Sequence, residues 1–561
     1  MKIRLPKAML AAVLSAMLVS GVQAATLYPY EVLELGAGET TTWQNFDNLQ
    51  GGDADSPFVK DGEGTLRFEN VQGSTSNYYK APIVAREGKV EFVNSTIYAH
   101  GAYTPSGHAN TWLMVGGQDA EMTFKNSSFN IATGETHMNV GTADGSGTLT
   151  LDNTNMKVTG SIFSGYHSYA GNEDSWGLGW YYNYNGTAAT DDIPAENQNS
   201  KSIEHRYTEG SYTDGYNGQN RKFGEGTINV TNGSKLDVAT AFTMGTSTLN
   251  VDGAGSTVVT QTGYGGIVAD GSGYEDTYSI SMGRWSGAES TINVTNGAQI
   301  ESYGQLRTQR SSGLANTYSE INVDGEGSKF HVKATANLGL YEGTNNTTVV
   351  NITNGGEAAF AKTVMGASGV DVNIDSASTL SSDLIEVKNG SLDNDGTISA
   401  YTDDSVEAML KLVGGSVVNT GTIEIDTMID SGDLTLNGGL MADITMNGGE
   451  LYVDGYSKTE SLTLNGGTVW FSEGAVLDLQ GNELVLNGAD LVLMVADDAQ
   501  LSDKYTLFTN ASEDVEFNIT LVDDQGNNLG SATGVASIPE PTTATLSLLA
   551  LAGLAARRRR K

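Results

Sequence analysis

The sequence predicts an all-β chain: a parallel β-helix with one irregular insertion, set between an N-terminal signal peptide and a single apolar C-terminal helix. Three observations carry this. A short strand–turn–strand unit recurs along the chain. Glycine is abundant and proline scarce, 70 residues against 8, which fits many tight turns between short strands. The first 24 residues have the basic–apolar–small order of an export signal.

Taken in chain order, the export signal comes first. Lys2, Arg4 and Lys7 form its basic region and residues 9–19 its apolar stretch. Val22-Gln23-Ala24 then places small or modest residues where a signal peptidase cuts, so cleavage is expected after Ala24. The chain has no cysteine, which excludes thiol catalysis, cysteine-ligated zinc and iron–sulfur clusters. At 561 residues it is long enough to bury a core without disulfides. The formal charge is −37, and losing the two basic ends makes the body more acidic still. Such a surface repels nucleic acid and anionic membranes.

The repeats follow. GTINVTNGSKLDV begins at Gly226, STLNVDGAGSTVV at Ser247, STINVTNGAQIES at Ser290, SEINVDGEGSKFHV at Ser319 and TVVNITNGGEAAF at Thr348. Looser copies start at Lys89, Glu121 and Gly147, and an L-N-G-G-rich series follows after residue 430. Within one copy Ile228 and Val230 alternate with Asn229 and Thr231, the period of a strand. Asn232-Gly233 then supplies residues that tolerate positive φ. Leu236 and Val238 start a second alternating run, Phe242 and Met244 a third. First strands centred on Ile228, Leu249, Ile292, Ile321, Val350 and Val372 should therefore stack, the long gap before Ile292 being one turn with an insertion. Three short strands cannot bury their inward side chains alone, whereas stacked units can. The competing fold is a β-sandwich, whose strands do not recur as one unit. Residues 25–88 read as an N-terminal capping region and 89–490 as the repeats, interrupted at 165–225. Residues 491–536 read as a C-terminal cap or linker.

The strand G-T-I-N-V-T-N-G-S, Gly226 to Ser234, and its copies resemble the repeat shared by type V autotransporter passengers and PEP-CTERM proteins. The resemblance covers most of 89–490 and implies a β-helical, surface-displayed protein. A membrane barrel needs many amphipathic strands of about ten residues. The sequence beyond residue 490 holds too few, so no built-in barrel is expected.

Residues 537–561 carry the most specific resemblance. Pro539-Glu540-Pro541, an apolar stretch from Thr542 to Ala556, and the basic run Arg557, Arg558, Arg559, Arg560 and Lys561 are similar to the PEP-CTERM sorting signal. As a helix this stretch spans about 22 Å at 1.5 Å per residue, short of a hydrocarbon core of about 30 Å. With residues 537–541 it just crosses, and the arginines stay cytoplasmic. The resemblance implies an exosortase-like membrane protease that cuts near Pro-Glu-Pro. A permanent anchor is the alternative. Membrane contact is then confined to the tail before processing, and the body is expected at the cell surface, outer membrane or extracellular matrix.

The insertion at 165–225 gathers Tyr166, Tyr169, Trp176, Trp180, Tyr181, Tyr182 and Tyr184. Flat rings beside polar groups are what sugar-binding surfaces use. Glycan or exopolysaccharide contact is therefore assigned to Trp176, Trp180, Tyr181 and Tyr182. The plainer alternative is that these rings pack over the flank of the repeats.

No carboxylate pair stands out among 67 acidic residues at the separation glycosidases use. His205-Arg206 beside Glu204 is the one lyase-like cluster. The six histidines lack H-E-x-x-H spacing. Asp-Gly pairs at Asp61, Asp144, Asp252, Asp270 and Asp324 fit turn chemistry, with calcium as the alternative, but the nonapeptide calcium repeat is absent. The reading is an exported, non-enzymatic structural or adhesive protein with no cofactor and no metal. The alternative is a polysaccharide lyase or glycoside hydrolase on the same scaffold.

Overall fold

The computed structural model describes residues 25–26, 32–44, 49–50, 58–74, 83–100, 110–133, 136–142, 146–166, 224–261, 278–284, 286–309, 313–401, 407–495 and 503–538. Among these there is no helix, and so none long and apolar enough to cross a membrane. Strands dominate, and nearly all of them pair in parallel. The chain divides into two compact units, Met1–Asp383 and Leu384–Lys561.

In the first unit each strand hydrogen-bonds to its counterpart one repeat away. Strand Glu225–Thr231 pairs with Ser247–Asp252, which pairs with Glu289–Thr295, then Tyr318–Asp324, Thr347–Thr353 and Val370–Ile374. The register matches Ile228, Leu249, Ile292, Ile321, Val350 and Val372 one to one, as the sequence expects. All six are buried. A strand two residues per period puts these on one face, and burying each stabilises the unit by roughly 1.5–3 kcal/mol. The looser copies join the same column through Val90, Met122 and Leu149.

Both expected insertions fall within single coils. Ser146–Asp152 pairs directly with Glu225–Thr231 across the aromatic insertion, and Ser247–Asp252 pairs with Glu289–Thr295 across the shorter one. Parallel stacking also extends upstream into the region read as a cap. Thr40–Gln44 pairs with Thr65–Glu69, which pairs with Ile83–Val93. There the inward column is aromatic: Trp43 meets Phe68 edge-on at 5.4 Å, and Phe68, Phe92 and Phe124 stack at 4.9 and 4.5 Å.

One expectation needs refining. Three strands per copy hold for the coil starting at Glu225. In the next-to-last copies the second and third run together as Lys329–Leu338 and Glu357–Met365. The linking residues there are Lys333-Ala334 and Ala361-Lys362. The strand-initial glycine has a separate cause. A Cβ on Gly226 would lie 2.5 Å from the Val140 carbonyl oxygen.

In the second unit the inward column is Leu392, Val417, Leu434, Leu451, Val469 and Leu491. The unit ends differently. Strand Val515–Val522 still pairs in parallel with Asp490–Met494, but then forms an antiparallel hairpin with Asn528–Ala536. This replaces a bare parallel edge, a template for unwanted pairing, by a closed two-strand end.

Candidate functional site

The outward face of the first unit carries a chain of side-chain amides. Asn250 Nδ2 donates to Asn229 Oδ1 at 2.9 Å, Asn293 to Asn250 at 2.8 Å, and Asn322, Asn351 and Asn373 each to the preceding asparagine at 2.9 Å. Asn229 starts the series on Thr150 Oγ1 at 3.3 Å. All six are half-buried. They stack because strands lie about 4.8 Å apart in parallel register, so identical residues face one another. Each amide both donates and accepts, and such chains strengthen cooperatively.

Beside this ladder the turns alternate between two chemistries. First strands ending in T-N-G, at Thr231, Thr295 and Thr353, place asparagine and glycine at positive φ: 54° and 76° at Asn232-Gly233. The first strands of the coils between them end in D-G-x-G-S, at Asp252 and Asp324. The aspartate takes donors from the next coil. Thr295 Oγ1 and Asn296 Nδ2 both donate to Asp252 Oδ1 at 2.6 Å, and Thr353 and Asn354 bond Asp324 likewise at 2.7 and 2.6 Å. Hydrogen bonds from Thr295 and Asn296 hold the Asp252 carboxyl below its ordinary 3.8. Asp61 instead pairs with Arg86. These three Asp-Gly aspartates thus have protein partners, and among the described residues no three His, Asp or Glu converge as a metal site.

Charged side chains on the face are tied across coils. Burial pushes the Glu91 carboxyl up, but hydrogen bonds from Arg67 and Lys89 outweigh it and leave it below 4.5. Glu357 is held down in the same way by Lys329 and His331. Lys60 points inward and is fully buried, its ammonium bonded to the Gly62 and Glu87 carbonyls. Burial lowers its pKa to about 8.

Two surface features could meet a ligand. In the first unit a hollow of about 400 Å³ is lined by Asn94, Ser95, Thr96, Asn126, Ser127, Ser128, Asn153 and Asn155. Its amides and hydroxyls offer donors and acceptors without charge. In the second unit the rings of Tyr452 and Trp470 lie 6.3 Å apart and within 12° of parallel, and the Tyr452 hydroxyl donates to Glu450. Neither was apparent from the sequence. The hollow depends on which coils neighbour one another, and the ring pair on an 18-residue coil that brings Tyr452 opposite Trp470.

For acid–base chemistry the nearest arrangement is Asp426 with Asp443 on the adjacent coil. Burial, then the Asp443 charge, raise the Asp426 carboxyl above 3.8.

The residues singled out in the sequence lie largely outside the described residues: Ala24, Trp176, Trp180, Tyr181, Tyr182, the cluster Glu204, His205 and Arg206, Asp144, Asp270, Pro539, Glu540, Pro541, and Arg557 to Lys561. No protein-family model, no curated protein and no solved structure matches this chain.

Proposed function

We propose that this protein is an exported, non-enzymatic parallel β-helix that serves a structural or adhesive role at the cell surface or in the extracellular matrix. In this reading the N-terminal signal is removed after Ala24. The tail is cut at Pro539-Glu540-Pro541 by an exosortase-like membrane protease, with Arg557 to Arg560 holding it in place until then.

The observation that carries the structural role is the amide ladder. It commits the same outward position of six coils, Asn229 to Asn373, to contacts between coils. Side chains engaged with one another in this way reinforce a scaffold, and hydrophilic turns keep it soluble. Exopolysaccharide or another glycan is the proposed partner. Trp176, Trp180, Tyr181 and Tyr182 supply stacking surfaces, and the uncharged hollow at Asn94, Asn126 and Asn153 suits hydroxyl groups.

The competing enzyme rests on Asp426 and Asp443 on adjacent coils, where burial and then the Asp443 charge raise the Asp426 carboxyl.

Two measurements on native protein test the proposal. Intact mass of material from cells and medium should show a chain beginning after Ala24 and ending near Pro-Glu-Pro; extracellular protein retaining Lys561 contradicts it. A panel of polysaccharides should show binding without release of sugar, and binding should weaken when Trp176 and Trp180 become Ala. Product formation abolished by Asp426→Asn would establish the enzyme instead.

A further inference from the structure

The described residues contain eight Asn-Gly pairs, at Asn232, Asn296, Asn354, Asn389, Asn437, Asn447, Asn465 and Asn487. Asn-Gly is chemically fragile wherever the asparagine side chain can swing onto the following backbone nitrogen. That nitrogen attacks the side-chain carbonyl carbon, the new C–N bond closes a succinimide, and the amide nitrogen leaves as ammonia with the displaced proton. Water then opens the ring to aspartate or isoaspartate. Glycine favours the reaction because no Cβ obstructs the approach.

The coil stacking restrains most of these pairs. Asn232, Asn296 and Asn354 are held from both sides. Their amides donate to Asp152, Asp252 and Asp324 of one neighbouring coil at 2.8, 2.6 and 2.6 Å. The following glycine nitrogens donate to Ser256, Ser328 and Ser378 of the other at 3.0, 3.0 and 3.2 Å. In the second unit Asn447 donates to Asp430 at 2.9 Å, Asn465 to Asn447 at 3.0 Å and Asn487 to Asn465 at 2.9 Å. Asn389 is also engaged.

Asn437 differs. Its backbone nitrogen reaches the Asn419 carbonyl at 3.0 Å and Gly438 N donates to Ser457 Oγ at 3.0 Å. Its side chain is exposed and has no hydrogen-bond partner among the described residues. The space over Gly438 is open, the nearest atom to an ideal Cβ being the Tyr456 carbonyl oxygen at 3.9 Å, but so is the space over Gly233, and the unpartnered side chain is what sets Asn437 apart.

We propose that Asn437-Gly438 is a spontaneous modification site, closing to succinimide and opening to aspartate or isoaspartate, while the stacked turns protect the other pairs. The consequence is local. Isoaspartate adds a backbone atom to the turn between strands Asp426–Leu436 and Leu440–Met441. The two-residue strand after it pairs with Thr422–Ile423 and Lys458–Thr459 and buries Met441. It is the element that a lengthened turn would pull out of register.

The full chain, aged in mildly alkaline buffer and mapped by peptide mass spectrometry, tests this. Deamidation at Asn437 should run roughly tenfold faster than at Asn232, Asn296, Asn354, Asn447, Asn465 or Asn487, the effect of about 1.4 kcal/mol on a barrier. In urea the advantage should vanish. Asp252→Ala should raise the rate at Asn296 alone, and Asp252→Asn, which keeps an acceptor oxygen, should leave it low. Equal native rates at all of these sites overturn the proposal, as does a native order that persists in urea. Should Asp252→Ala unfold the chain, the wild-type order in buffer against urea still decides.

Discussion

Amide hydrogen bonds between coils occur at exposed turns in both units, as from Asn153 to Asn126 in the first and from Asn465 to Asn447 in the second, and the units differ in the half-buried ladder that the first adds along its strands. In the first, the ladder runs along strand positions from Asn229 to Asn373, half-buried, and its successive spacings are 21, 43, 29, 29 and 22 residues. In the second, Asp430, within strand Asp426–Leu436, starts a ladder that continues through Asn447, Asn465 and Asn487, each just past a strand end, with spacings of 17, 18 and 22. There the amides of Asn447, Asn465 and Asn487 bond across exposed turns. The first unit therefore keeps register through its strands and tolerates very unequal connections between them. The second has short, more even coils and places its polar ladder where water competes for it. Coil length is free to vary where the strand itself fixes the register.

Substitutions can break this comparison, beginning with the core. Ile321→Ala in the first unit and Leu451→Ala in the second each remove a fully buried side chain. Each should cost about 2–5 kcal/mol, read as a lower urea midpoint. Equal and negligible losses would show that these columns do not form the cores.

The ladders should then separate. Asn322→Ala leaves Asn293 Oδ1 without its donor and Asn351 Nδ2 without its acceptor. In a half-buried setting this should cost about 1–3 kcal/mol. Asn465→Ala makes the matching cut in the exposed ladder and should cost no more than about 0.5 kcal/mol. If the two losses are alike, burial of the ladder is not what distinguishes the units.

Titration of buried or hydrogen-bonded groups gives a pH-dependent contrast. Asp252 titrates below its ordinary 3.8 in the folded unit, so its contribution is complete above that value and is lost as pH falls through the lower folded one. Asp252→Asn should flatten part of the acid-side decline in stability. Lys60 behaves differently. Its folded pKa of about 8 lies below the ordinary 10.5, so the first unit should gain stability as pH rises between those values. Lys60→Met should remove that gain. Thermal melts across the two windows check both signs.

The repeating strands of the first unit were legible because inward Ile, Val and Leu alternate with Asn and Thr and because Asn-Gly marks the turns. What eluded the sequence depends on contacts between coils. Phe242–Met244 and Tyr278–Met282 are buried on both faces, so period-two alternation fails there. Asn394 and Asn419 have the composition of turn residues yet are buried, with Asn394 donating to Asn419 Oδ1 at 2.7 Å. A pair of buried amides joined across coils is invisible until the stacking is known. The polar hollow and the Tyr452–Trp470 pair were missed for the same reason. The alternation of T-N-G and D-G-x-G turns was present in the quoted repeats, but its meaning, an aspartate serving the next coil, needs the register.

That register is the central claim, and the absence of cysteine from the chain allows it to be tested without background. Asn293 and Asn322 are direct partners on adjacent parallel strands, about 4.8 Å apart, within the separation a disulfide bridges. Asn293 and Asn351 lie two coils apart, about 10 Å by the same spacing, and beyond it. Oxidising the double variant Asn293→Cys/Asn322→Cys should give an intramolecular disulfide in nearly every molecule. The variant Asn293→Cys/Asn351→Cys should stay reduced. A bridge in the second variant and none in the first would contradict the stacking on which the account rests.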